Sequence, residues 1–257
     1  MTTQEEISTH EEPLRQEETS QTEGLEMDET LERGVRAVLT DDPAAIAREV
    51  RSLTLRALTE GTLEHGAVQR VVHAVVAGAT HGAQGASDGQ RALREALHGL
   101  DQALAAAAQA IRLTLEEAIG NAGAFSRQTL RRRLEDLSTL ESLFIETVSQ
   151  TASSSAGFTR TTLVDVADHA RASGSAVGSA VKEGVTTLGR ALAETVSDQV
   201  EVTTSVLQRE AALLASLTSG VLQGIADRLR GSHPPVAAEE PGEGQGGAGA
   251  QEPPVRS

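Results

Sequence analysis

From residue 31 to residue 231, apolar side chains recur at intervals of three and four, the spacing of one face of an α-helix. A short first helix is predicted over Met27–Leu39. Asp42-Pro43 then supplies an N-cap and a proline at the first helical position, opening a second helix. That helix carries Ile46, Val50, Leu53 and Ala57 on one face and ends near Gly61. A third, Leu63–Ala79, repeats the pattern with Val68, Val71, Val72, Val75 and Val76. Gly78, Gly82, Gly85 and Gly89 follow closely, and their backbone entropy predicts a break there. Ser87 and Gln90 have the spacing of a capping box for a fourth helix running to about Ile119. Leu93, Leu97, Leu100, Leu104, Ala107, Ile111 and Leu115 form its apolar lane. Gly120-Asn-Ala-Gly123 reads as a turn. The fifth helix, with Leu130, Leu134, Leu137, Phe144 and Val148, fades at Ser153–Gly157. Similar lengths and a short turn make helices four and five an expected antiparallel hairpin.

The remaining stretch, Thr159–Arg230, has no proline and no cluster of turn residues. Its lanes repeat every eleven positions: Val181, Leu192, Thr203, Leu214, Ile225, and beside them Val185, Val196, Leu207, Thr218, Leu229. Such a period gives a nearly straight or right-handed stripe. The expectation is one very long C-terminal amphipathic helix, about 110 Å if continuous at 1.5 Å per residue. Ala170, Gly174 and Gly178 place small residues at four-residue spacing, where the chain either kinks or approaches another helix closely.

Composition sharpens this picture. No proline occurs between Pro43 and Pro234, as long helices require, because an internal proline costs about 3 kcal/mol. There is no Trp, Tyr or Cys, and Phe125, Phe144 and Phe158 are the aromatic residues. The core must therefore be built from Ala, Val and Leu, with no disulfide or thiolate metal site. The net charge is −15, yet residues 31–231 account for only −3 of it. The acidity sits in residues 1–30 and in the Pro/Gly/Glu stretch 232–257, both of which read as disordered tails. The organisation expected is an acidic tail (1–26), short helices (27–87), a helical hairpin (88–157), a long helix (158–231) and a second tail (232–257).

An acidic chain without a basic face is not a nucleic-acid binder. The one basic knot, Arg127 with Arg131, Arg132 and Arg133, runs directly into Glu135 and Asp136 and reads as a solvated face of charge pairs, with anionic lipid as the alternative contact. No basic-then-apolar leader opens the chain, so no secretory signal is expected, and the uncharged runs Val71–Ser87 and Ala211–Ala226 are too short for a transmembrane span.

Candidate chemistry is sparse. His65, His73 and His81 lie eight residues apart, which turns each about 80° from the last on a helix, so they read as surface histidines and not as metal ligands. The Gly78–Gly89 stretch lacks the Lys-Ser/Thr ending of a phosphate loop, and no Gly-x-Ser-x-Gly elbow occurs. No catalytic, cofactor or metal residue is assigned, and no enzyme is expected. The functional candidates are the apolar residues of Ala211–Ala226, namely Leu213, Leu214, Leu217, Val221, Leu222 and Ile225, bounded by Glu210 and Asp227. On an interfacial helix Leu214, Leu217, Val221 and Ile225 would bury in the apolar phase while Arg209, Arg228 and Arg230 reach toward head groups.

Long, proline-free, Ala-rich helices with eleven-residue lanes resemble the phasins, which coat polyhydroxyalkanoate granules in bacteria, and the exchangeable apolipoproteins. Ala92–Val148 and Ala211–Arg230 also resemble an uncharacterised bacterial family of helical proteins. The first two resemblances imply a non-enzymatic protein that coats a lipid or polyester granule surface. The expectation is an all-α protein, an elongated bundle, cytoplasmic and peripheral to that surface. Thin apolar lanes gain from mutual burial, so a homo-oligomer is expected. The alternative function is an oligomeric coiled-coil scaffold or adaptor that binds partner proteins.

Overall fold

A computed structural model describes residues 24–40, 42, 44–60, 65–120, 126–194 and 204–231. Among them the elements are all α-helical, with no strand. In chain order they are α1 (24–38), α2 (Ile46–Glu60), α3 (His65–Gly85), α4 (Gly89–Gly120), α5 (Arg127–Ser154), α6 (Gly157–Ser173), α7 (Ala176–Glu194) and α8 (Thr204–Gly231). The expected all-α class is what the structure shows. Residues 1–23 and 232–257 of the acidic tails lie outside the described residues, as does the predicted turn Gly120–Gly123 beyond its first residue; residues 24–26, expected in the first tail, are helical and open α1.

Helix α4 is the axis of the bundle. Its predicted lane from Leu93 to Leu115 is buried throughout, and the run Ala103–Ala108 is buried on every side. A helix enclosed all round has no polar face to spare, and methyl-sized side chains let neighbours approach from several directions. Helices α2 and α7 are its principal neighbours, with α3, α5, α6 and α8 also against it. The expected partner α5 does touch α4, but it shares that surface with helices distant in sequence. Core residues from Leu31 to Ala226 form one continuous apolar cluster.

Glycines that read as breakers are contact points. Helix α3 runs through Gly78 and Gly82 to Gly85, so the break expected from Gly78 onward begins only at 86–88, just before α4. A Cβ on Gly78 would lie 2.5 Å from the Glu32 carbonyl oxygen of α1, and one on Gly82 would lie 2.9 Å from that of Arg36. The entropy each glycine costs is offset by backbone-to-backbone packing that no larger residue allows. In α4, Gly99 sits against the Ala47 carbonyl of α2, where an added methyl would collide. Gly178 and Gly184 of α7 instead make room for side chains of α5, those of Glu141 and Leu137.

The C-terminal stretch does not form one helix. Helix α6 ends at Ser173, Gly174 adopts φ 82°, and α7 starts at Ala176. Only glycine reaches that backbone angle without a steric cost, so the kink reading holds at Gly174 and the close-approach reading at Gly178. Whether α7 and α8 join falls on residues outside those described.

Helix starts carry the expected chemistry, with one shift of register. Asp42 Oδ1 accepts from the Ala44 amide at 2.9 Å, ahead of α2. At α4 the cap is Asp88, whose Oδ1 accepts from the Arg91 amide at 3.1 Å, and not the predicted Ser87. Asp88 lies one residue nearer the helix, where its carboxylate reaches the third free N–H. Asp101 of α4 accepts from the amides of Ala176 and Val177 at 2.8 and 2.9 Å, capping α7 from a different helix. Buried threonines are settled locally: Thr54, Thr114, Thr162 and Thr218 each donate to the carbonyl four residues back.

Backbone contact makes a directional prediction. Gly99→Ala forces a methyl into the Ala47 carbonyl, a strain of about 3 kcal/mol that exceeds the helix-propensity gain of about 1 kcal/mol. Nothing lies within 4 Å of a Cβ on Gly220, so Gly220→Ala should stabilise by about 0.5–1 kcal/mol. Chemical denaturation should move the two variants in opposite directions. A stabilised G99A protein would mean that α2 and α4 are not in backbone contact.

Candidate functional site

The six residues singled out on α8 divide between two faces. Leu214 and Leu222 are buried in the core, and Val221 and Ile225 are half-buried against it. Leu213 and Leu217, four residues apart, are 52% and 50% exposed on the outer side. The chain's own bundle therefore occupies most of the face expected to bind a surface, while one leucine pair is left to solvent. Helix α8 packs mainly on α2 and α4. Of the eleven-residue lanes, Val181, Leu214 and Thr218 are covered within one chain.

A carboxylate holds one end of α8 to α5. Glu210 Oε2 accepts from the Ser126 amide at 3.0 Å and from the Thr129 hydroxyl at 2.7 Å. Ser126 is itself the N-cap of α5, with its side chain accepting from the Thr129 amide. An anion at a helix start meets unpaired N–H groups and the positive end of the dipole. Burial by itself would raise the Glu210 carboxyl, but the hydrogen bonds from Ser126 and Thr129 outweigh it and hold the group below its ordinary value of 4.5. The sequence shows Ser126 and Glu210 more than eighty residues apart, and no local pattern links them.

His65, His73 and His81 are exposed, as expected. His81 Nδ1 pairs with Glu32 at 2.9 Å, and His65 lies 3.3 Å from the Thr139 hydroxyl. Among the described residues, no group of three or more His, Cys, Asp or Glu side chains could hold a metal ion. Arg133 pairs with Asp136 at 3.3 Å, and Arg131 and Arg132 are exposed, in keeping with a solvated face of charges; the Arg127 side chain lies outside the described residues. Asp28 of α1 is raised by burial, against the opposing pull of Arg70 and His73. No helix among the described residues is long and apolar enough to cross a membrane.

The Glu210 contact has a signed pH dependence. A carboxyl whose folded value is depressed contributes stability above its unfolded value and loses it as pH falls through the folded one. Glu210→Gln should therefore speed hydrogen exchange of α8 amides at neutral pH. The gap from wild type should close as pH drops from 4.5 through the lower folded-state value. A gap that persists in acid would show that the charge of Glu210 does not hold α8.

Comparison with curated proteins and with solved structures finds no match. A family model covers residues 21–231, most of the chain and all of its described helices. The protein belongs to DUF6781, a family of unknown function.

Proposed function

We propose that this protein is a non-enzymatic, cytoplasmic structural protein whose amphipathic helices coat an apolar surface, a storage granule or a membrane face. The observation that carries the reading is the two-sided apolarity of α8. Leu213 and Leu217 stand outward while Leu214 and Leu222 point into the core of the same helix. An exposed leucine pair gives a first contact with an apolar phase. Release of α8 then turns its buried side toward that phase.

The cost of release is modest because the core is thin. Burial stabilises by about 25 cal/mol per Å² of apolar area, and the area α8 gives up is that of Leu214 and Leu222 with part of Val221 and Ile225. Helix α8 leans on α2 and α4, with no large aromatic side chain among its own residues. Its polar tether, Glu210 on Ser126 and Thr129, is a part-buried contact at one end of the helix. Adsorption onto an apolar surface would return the area lost from the bundle.

The test uses Leu213→Asp with Leu217→Asp. Both positions are half-exposed, so the folded bundle should survive, as judged by circular dichroism and thermal melting. Flotation with phospholipid vesicles or polyester particles should recover wild type and lose the double variant by at least about tenfold. Wild type that never floats would sink the coating function. If an oligomer of wild type also falls into monomers in the double variant, the scaffold reading takes its place.

A further inference from the structure

A groove of about 410 Å³ opens between α3 and the corner where α5 hands over to α6. Its walls carry His73, His81 and Gln84 from α3, with Ala156 and Thr159 from the α6 start, and no carboxylate lines it. Thr80 also lines it, about 92% buried, and its hydroxyl has no hydrogen-bond partner. Four other buried helical threonines of this protein spend their hydroxyls on the carbonyl four residues back, so Thr80 departs from the local solution. Buried polar groups without a partner are uncommon in folded proteins and call for one.

The second observation is the helix start in the same wall. Helix α6 is 17 residues long, and its N-cap is Ala156, with no side-chain cap. Its first N–H groups have no partner four residues back and point out of the helix end. The serine hydroxyls of the corner do not serve them: Ser154 and Ser155 donate to the Thr151 carbonyl at the end of α5. The two nearby carboxylates are both paired, Glu32 with the lining His81 at 2.9 Å and Asp28 with Arg70 at 3.5 Å.

Amide N–H groups, a side-chain amide, imidazoles and a partnerless hydroxyl, with no carboxylate in the lining, are the furniture of an anion site. The geometry points to a small oxyanion, a phosphate or a carboxylate, bound in this groove across the uncapped start of α6 and above Thr80. The site is separate from α8 and does not depend on the coating function.

The test is titration of the full isotope-labelled chain with inorganic phosphate, with acetate, and with sodium chloride at matched ionic strength. Amide shifts of Gly157, Phe158 and Thr159 should saturate with phosphate, with acetate or with both. Phosphate alone identifies a phosphoryl ligand, acetate alone a carboxylate. Ala156→Asp places a carboxylate of the chain itself on the same N–H groups. It should abolish the saturable response while the melting temperature holds or rises. Thr80→Val, nearly equal in volume, should weaken binding by about tenfold with the fold intact. An equal response to chloride would mean an adventitious ion only, and would overturn the site. So would the absence of saturation with either oxyanion, or unchanged binding in A156D or T80V.

Discussion

The bundle rests on how closely its helix backbones come together. Gly78 and Gly82 of α3 touch carbonyls of α1, and Gly99 of α4 touches the Ala47 carbonyl of α2. Between them the alanine run Ala103–Ala108 is enclosed on all sides. With three phenylalanines in the whole chain, bulk cannot fill the space between helices, so the helices close it themselves. Everything else follows from that geometry: α4 is surrounded because its surface is small, and lanes of Val and Thr are wide enough to seal it.

Such a core is held at its edges by charge and hydrogen bonding. Asp101 caps α7 from α4, and Glu210 caps the start of α5 from α8. Both use a carboxylate against a helix N-terminus, so each contact satisfies orphan N–H groups and ties two helices together at once. The two clamps differ in what lies beneath them. Under Asp101 is the most enclosed part of the bundle, whereas α8 keeps leucines on both its faces. That difference singles out α8 as the element with a second use.

Helix type and the core lanes were legible from the sequence, because a 3.6-residue period and a proline-free span speak directly about local structure. The lanes at Leu93–Leu115 and Val68–Val76 face the core as the spacing implies. The Gly78–Gly89 stretch was not legible in this way. Glycine lowers helix propensity locally, but a neighbouring carbonyl that only fits against hydrogen decides its place, and that carbonyl belongs to residue 32. The sequence named α8's apolar residues as a set; only packing against α2 and α4 could divide them into buried and exposed members.

What the sequence determined by itself was therefore one-dimensional: helices, their apolar faces, the acidic ends and the absence of thiols. Tertiary structure decided which glycine breaks a helix and which joins two, since Gly174 takes a positive φ while Gly178 presses on Glu141. It also decided which carboxylates become caps and which hydroxyl is left without a partner. Those outcomes depend on contacts between residues tens of positions apart, where local period carries no information.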